Sequence, residues 1–257
     1  MKSLAEELWQ CRKEGGVVDI AKAHRLTSEK EALEMQKEVI RLSGMPVLGF
    51  KVGSTSLEAQ KILGTTEPGT SPILSDYIFG SPATINIDPG HAPAVEGEFA
   101  VRLGCDLPAR KETYSFDDVY NAVDAVAGAI EVVGSRFKGG LAGKGRFLTT
   151  ADFGANIALI LGSWVENWKV EDLGSHCVRM SINGVSREEG IGARALGHPL
   201  NVLEWLANKQ AQTKQGLSKG EIISTGTCTG VLNILPSDVV SADFGSFGNV
   251  DIKFFQL

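Results

Sequence analysis

The stretch Ala94-Val95-Glu96-Gly97-Glu98-Phe99-Ala100-Val101-Arg102-Leu103 constrains this chain more than any other. Apolar residues at 95, 99, 101 and 103 alternate with small or charged ones, the period-two pattern of a strand with one face on a core. Side chains two apart on a strand share a face, so Glu96 and Glu98 project together. Carboxylates that close repel each other, and desolvation raises their pKa unless a cation lies between them. A third acid interrupts the apolar run Ala127-Gly128-Ala129-Ile130-Glu131-Val132-Val133, where an unpaired charge is costly to bury. Three carboxylates without a neighbouring Cys or His form an all-oxygen set, suited to Mg²⁺ or Mn²⁺ rather than Zn²⁺. The spacing also fits a plainer arrangement, with Glu96 and Glu98 on a solvent face and Glu131 salt-bridged to an arginine.

A strand of this kind needs partners, and the rest of the chain offers many. Residues 1–45 read first as a small helical region. Leu4, Leu8 and Trp9 have helical spacing up to Gly15-Gly16, and the capping-box match Ser28-x-x-Glu31 precedes Ala32, Leu33, Met35, Val39, Ile40 and Leu42, with a stop at Gly44. From Pro46 the character changes to short apolar runs separated by Gly, Pro and Asn turns, and 30 glycines fit that many tight turns. Strands are expected at 47–53, 83–87, 94–103, 129–133, 157–161, 221–225, 227–231, 239–244 and 249–254. A hairpin is expected around Asn183-Gly184, joining 178–182 to 185–188. Helices are expected at 56–63, from Ser115 through Val119, Val123 and Val126 to Gly128, and from His198-Pro199 through Leu206. Many short strands with few helices between them predict an α+β chain, a mixed or antiparallel β-roll or barrel over 46–257 with flanking helices.

Charge and composition exclude several classes of function. A net charge of −6 with no basic run argues against a nucleic-acid partner. No apolar run approaches the ~20 residues of a membrane span, and Met1-Lys2-Ser3-Leu4-Ala5-Glu6-Glu7 lacks the apolar core of a signal peptide, so a cytoplasmic protein without a membrane partner is expected. Cys11, Cys105, Cys177 and Cys228 contain no CxxC, which indicates neither a zinc site nor a disulfide framework. No GxGxxG follows a strand, so no dinucleotide site is expected. His24, His91, His176 and His198 are scattered and read as surface or capping residues.

Two further residues carry possible chemistry. Lys51, inside Val47-Leu48-Gly49-Phe50-Lys51-Val52-Gly53, shares a face with Gly49 and Gly53, which leaves room beside its ammonium. Lysine rarely sits in a buried strand without a partner, so it either meets a substrate carboxylate or moves a proton. The alternative is an edge-strand lysine that deters aggregation. Asp76, in the apolar neighbourhood of 71–79, is a further candidate acid or else a turn aspartate. The glycine-rich loop Lys138-Gly139-Gly140-Leu141-Ala142-Gly143-Lys144-Gly145-Arg146 reads as a cover over a site.

These pieces have a familiar order. Gly49-Phe50-Lys51-Val52-Gly53, the Glu96-Gly97-Glu98 pair and Ile130-Glu131-Val132-Val133-Gly134-Ser135-Arg136 are followed by Ala151-Asp152, Thr225-Gly226-Thr227 and Asp243-Phe244-Gly245-Ser246-Phe247-Gly248. On these residues, nearly the whole chain resembles the 2-keto-4-pentenoate hydratase and 4-oxalocrotonate decarboxylase branch of the fumarylacetoacetate hydrolase superfamily. The resemblance implies Mg²⁺ or Mn²⁺ on Glu96, Glu98 and Glu131, proton transfer and substrate orientation by Lys51 and Asp76, and substrate contacts from Arg136, Asp152 and Thr227. It implies hydration of a 2-hydroxy-2,4-dienoate to a 4-hydroxy-2-oxo acid in aromatic catabolism, by a homo-oligomer or a complex with a sister hydratase or decarboxylase. Decarboxylation of a 2-oxo-3-hexenedioate is the alternative, which a cation for the second carboxylate would favour, with Arg136, Lys138 and Lys144 as candidates. Acylpyruvate hydrolysis ranks behind these, since no His-Glu dipeptide occurs, and a non-catalytic member ranks last. Two departures stand out: Gly134 where the family commonly has an acid, and Phe153-Gly154-Ala155 where it has small polar residues.

Overall fold

A computed structural model describes residues 2–19, 26–140 and 143–257; His24 and the Leu141-Ala142 part of the glycine loop lie outside them. The chain opens with α1 (Leu4–Glu14) and α2 (Glu29–Ser43). Ser3 caps α1 in a full capping box with Glu6. At α2 only half of the expected box forms. Ser28 accepts from the Glu31 amide, but the Glu31 carboxylate turns to the backbone and hydroxyl of Thr27 instead. Gly44 then ends α2 in the left-handed conformation.

Two sheets follow. Their strands are β1 (Val47–Gly53), β2 (Gly69–Leu74), β3 (Ile78–Gly80), β4 (Ala83–Ile87), β5 (Ala94–Leu103), β6 (Val123–Val133), β7 (Asn156–Leu161), β8 (Cys177–Ile182), β9 (Val185–Ile191), β10 (Ile222–Thr227), β11 (Leu232–Asn233), β12 (Val239–Asp243) and β13 (Asn249–Gln256). The helices between them are α3 (Leu57–Leu63), α4 (Phe116–Ala122), α5 (Gly145–Ala151) and α6 (Pro199–Gln212). The first sheet runs β2-β1-β10-β5-β6-β7-β3, with β11 on β5; the second runs β4-β13-β12-β8-β9. Parallel pairs (β1 with β10, β3 with β7, β4 with β13) mix with antiparallel ones, as the α+β reading requires. The β8–β9 hairpin turns on Asn183 and Gly184, both at positive φ, which matches the right-handed twist of the strands.

The main core lies between the sheets. Val95, Phe99, Val101 and Leu103 of β5 face it, and Phe99 packs edge-on against Phe244 and Phe247. Each such buried side chain contributes roughly 1.5–3 kcal/mol. Gly128 of β6 makes that packing possible, since a Cβ there would stand 2.4 Å from the Phe244 ring. On the opposite face of the first sheet the side chains are small where β5 and β6 cross, with Ala100 and Ala129 beside Ile73 and Leu159. That face carries the acids. The helices α1 and α2 cover it further along, through a cluster of Leu4, Leu8 and Ala32 with Phe137 and Ala151.

Two expected elements differ from the observed ones. The helix from Ser115 stops at Ala122 rather than Gly128, and Val123 and Val126 belong to β6, because β-branched residues pair with β5 over ten register positions. Residues 227–231 are not a strand. After Thr227 the chain turns, with the Thr227 hydroxyl accepting from the Gly230 amide at 2.8 Å.

Candidate active site

Antiparallel pairing of β5 with β6 sets Glu131 directly opposite Glu96, with Glu98 opposite Ala129. One oxygen from each of the three glutamates lies within 4.8 Å of the others. Glu98 and Glu131 are buried and Glu96 is half-buried. The plainer arrangement, with Glu96 and Glu98 facing solvent, is therefore not the one adopted. Burial, reinforced by the charge of Glu131, pushes Glu96 up to about 7. Glu98 is also raised, by burial and then by Glu131 and Glu96. Three carboxylates gathered under cover with a single ammonium beside them form a group that can hold a cation. All donors are hard oxygens, which fits a divalent ion of the Mg²⁺ or Mn²⁺ type.

Lys51 completes the group. Its strand lies between β2 and β10, so it is not an edge lysine. Its Nζ stands 3.2 Å from Glu131 Oε2 and donates to the Gly154 carbonyl at 3.0 Å. Burial works against its charge, but Glu131, Glu96 and Glu98 together outweigh that and hold its pKa above the ordinary value. Of the two glycines expected on its face only Gly53 leaves space beside the ammonium; at Gly49 a Cβ would instead meet the Ile222 backbone at 1.8 Å. A Cβ at Gly53 would lie 3.2 Å from Nζ.

Each acid is aimed by neighbours from distant parts of the chain. Glu98 Oε2 accepts from the Ser224 hydroxyl and from the Gly226 amide at 2.9 Å. Gly226 has φ of 89°, and a Cβ there would run into Thr55, so only glycine presents that amide. Glu131 Oε1 accepts from Asn156 Nδ2 at 2.8 Å. The Asn156 amide is itself oriented, because its Oδ1 accepts from Arg12 Nη2 at 3.2 Å while Arg12 Nη1 donates to the Asn156 carbonyl at 2.6 Å. Arg12 is stacked 3.9 Å from the Tyr77 ring centroid. A residue of α1 thus holds a second partner of the acid cluster, a role that nothing in the local pattern of the first helix suggested.

A cavity of about 290 Å³ opens on Lys51, Glu96 and Glu98, with Thr227, Val133 and Arg146 among its other walls. Of the remaining expected residues, Thr227 lines this cavity, but three others do not. Asp76 is exposed on a 3₁₀ turn after β2, accepting from the Ser75 hydroxyl at 2.7 Å, so its role is that of a turn aspartate. Arg136 and Asp152 are buried together outside the cavity lining. Arg136 Nε donates to Asp152 Oδ1 at 2.5 Å, and its other nitrogens take the carbonyls of Asn156 and Asp152. Their mutual charges and hydrogen bonds are consumed in fixing the turn before Asn156. Lys138 is exposed, and Lys144 donates to its carbonyl.

The two departures are accommodated locally. At Gly134 a Cβ would stand 2.7 Å from Ile157, leaving no space for an acid. Phe153 packs with Ala5, Val39 and Leu74 under the helices, and only Gly154 of that segment reaches the cavity.

Comparison with known proteins agrees with this geometry. The family profile described as fumarylacetoacetate (FAA) hydrolase C-terminal matches residues 52–254. The chain is 34% identical over 212 residues to a 2-keto-4-pentenoate hydratase of Paraburkholderia xenovorans, covering 82% of this chain and 77% of that one. It is 32% identical over 232 residues to a 2-oxo-hept-4-ene-1,7-dioate hydratase of Escherichia coli, covering 88% and 86%. The fold superposes with a TM-score of 0.87 on 4-oxalocrotonate decarboxylase from Pseudomonas putida G7, complexed with magnesium and adipate, at 24% identity over 98% of this chain and 96% of that one.

Proposed function

The chain belongs to the fumarylacetoacetate hydrolase family, and from that premise we propose that it is a lyase, a divalent-metal-dependent hydratase. It adds water to a 2-hydroxy-2,4-dienoate and yields a 4-hydroxy-2-oxo acid, as expected for the breakdown of aromatic ring-cleavage products. The observation that carries this reading is the placement of Glu131 across from Glu96 with the Lys51 ammonium 3.2 Å from Glu131, and with Lys51, Glu96 and Glu98 lining one cavity. The hydratase names of the relatives at 34% and 32% identity support it. Mg²⁺ or Mn²⁺ is the ion of choice, held by Glu96, Glu98 and Glu131, and neighbouring structures complexed with magnesium or with Mn²⁺ and pyruvate support that choice.

When bound, such an ion supplies Lewis acidity toward the C1 carboxylate and C2 oxygen of a 2-oxo acid. The protein's own groups do the rest. Lys51 is fixed by the Gly154 carbonyl beside Glu131, so it is placed to hand a proton to the conjugated chain and take one back. Protonation of the dienol at C5, with loss of the C2 hydroxyl proton, leaves a 2-oxo-3-enoate, and water then adds its hydroxyl at C4 and its remaining proton at C3. Val133 and Val231 form an apolar wall for the carbon chain. Arg136, Asp152, Arg12 and Asn156 act as positioning residues, through Glu131.

Among the described residues no helix is long and apolar enough to cross a membrane. We further propose, on the strength of the family resemblance, that the protein is a cytoplasmic homo-oligomer. The helical region 1–45 then serves as a cover over the catalytic part, 46–257. The test is turnover of 2-hydroxypenta-2,4-dienoate with and without Mg²⁺ or Mn²⁺, followed by loss of ultraviolet absorbance and product mass. Metal-dependent gain of one water is expected from the native protein, and loss of turnover with retained metal binding from Lys51→Ala. Release of carbon dioxide from 2-oxo-3-hexenedioate without water uptake would move the assignment to the carboxy-lyase.

A further inference from the structure

None of the three cations expected to meet a second substrate carboxylate reaches the cavity, but Arg146 does. It sits in the first turn of α5, half-buried, and enters beside Gly69 of β2. Gly69 is what admits it, because a Cβ at that position would stand 1.9 Å from Arg146 Nη1. Any other residue at 69 would drive the guanidinium out.

The placement relative to the acids follows from register. Lys51 pairs with Ser71 across β1 and β2, and Gly53 pairs with Gly69. Residues two apart on a strand share a face and are separated by roughly 7 Å. In the sheet order β2-β1-β10-β5 the strand carrying Gly69 lies on the far side of Lys51 from the acids of β5, so Arg146, over Gly69, shares the wall of Lys51 and stands beyond it across the sheet. Both of its hydrogen bonds among the described residues leave from Nη2, to Thr65 Oγ1 at 2.7 Å and the Glu67 carbonyl at 2.5 Å. Nη1, the nitrogen beside Gly69, donates no hydrogen bond among the described residues, at a point where Arg146 borders both the acid-bearing cavity and a second one walled by α2 and α6. The carboxylate of Glu67 pairs with Lys209 at 3.4 Å rather than hydrogen-bonding Arg146. Burial pulls the Arg146 pKa below its ordinary value, and Glu67 and Glu29 offset this only in part.

We propose that Arg146 is the specificity-determining cation of this cavity and takes the distal carboxylate of the ligand, so that the preferred substrate is a dioate rather than a monocarboxylate. This rests on the reading that the C1 end of the ligand lies at Glu96, Glu98 and Glu131. An extended seven-carbon dioate places its terminal carboxylate several ångströms past the carbons that Lys51 serves, and β2 stands roughly 4.8 Å beyond β1 in that direction. A guanidinium suits the task because it offers parallel donors to a planar carboxylate.

The test uses a ligand pair that cannot be hydrated and differs only at the far end, 2-oxoheptanedioate and 2-oxoheptanoate. Each is titrated calorimetrically into the Mg²⁺-loaded protein. The dioate is expected to bind the native protein at least tenfold tighter. In Arg146→Ala that preference should collapse to within twofold, and Arg146→Lys should retain part of it. Gly69→Ala, which crowds the guanidinium from the other side, should also erode it. Equal affinities in the native protein, or a preference that survives Arg146→Ala, would overturn the proposal. A native ratio near one overturns the proposal whether or not a variant folds, and Arg146→Lys, which keeps size and charge, assigns the preference if Arg146→Ala does not fold. Binding is read here without turnover, so failure of the hydration assay and failure of this inference remain separate results.

Discussion

Replacing Asp152 by Asn separates a structural ion pair from a substrate contact. In the native protein Asp152 Oδ1 accepts from Arg136 Nε at 2.5 Å, and Oδ2 accepts from the Arg136 amide at 2.8 Å and the Ser135 hydroxyl at 3.3 Å. Both side chains are about 2% exposed. An asparagine keeps the shape and one acceptor, but its NH₂ must then face donors. That leaves at least one buried donor unsatisfied, at about 1–3 kcal/mol, and strips the counter-charge from a buried guanidinium. Breaking a buried pair from one side costs about 3–5 kcal/mol in total. For a chain of this size that corresponds to a fall in Tm of about 6–20 °C. The assay is thermal and urea unfolding of the metal-free protein, where no substrate effect can enter. Replacing both partners with apolar residues should recover part of the loss, because no charge is then stranded. A variant within 1 kcal/mol of the native protein but with a raised KM would refute the argument. It would return Asp152 and Arg136 to the substrate.

Three further outcomes are expected. Asn156→Ala should weaken Mg²⁺ or Mn²⁺ binding by about 10–100-fold in calorimetry, because Glu131 loses the donor that aims it; unchanged affinity would show that Glu131 needs no such support. Gly128→Ala should cost about 1–3 kcal/mol in urea unfolding, since its Cβ would stand 2.4 Å from Phe244, and a neutral result would mean that the ring can move aside. The third concerns His91, buried and facing Gly16, Asp88, Arg136 and Asp152. Burial, reinforced by Arg136, lowers its pKa, so the folded state binds fewer protons than the unfolded one. Its contribution to stability is therefore full above the unfolded value of about 6.5 and is lost as pH falls below it. Urea midpoints between pH 7.5 and 5.5 should fall less in His91→Gln than in the native protein, and equal slopes would remove His91 as the cause.

Much of this site was legible in the sequence, because strand periodicity is local. Alternation alone puts Glu96 and Glu98 on one face, marks Lys51 as having glycine-made space beside it, and singles out Glu131 within an apolar run. The motif order of the whole chain also marks the family, which the profile over 52–254 bears out. Where local rules were applied across a boundary, they failed. The valines at 123 and 126 fit a helix by spacing but pair with β5 instead. Asp76, Arg136 and Asp152 are residue types that suit a substrate site, yet their partners make one a turn residue and the other two a buried pair.

What only the tertiary structure decided is which groups meet. The β5–β6 register brings Glu131 opposite Glu96, and Arg12 reaches Asn156 across 144 residues of sequence. Among the cations near the glycine loop, Arg146 enters the cavity through the gap at Gly69, while Arg136 is consumed by Asp152. A side chain's face is set by its neighbours two or four residues away. Its electrostatic partner is set by where distant strands close, and a charge in a cavity acts through whichever group packing has left unpaired beside it.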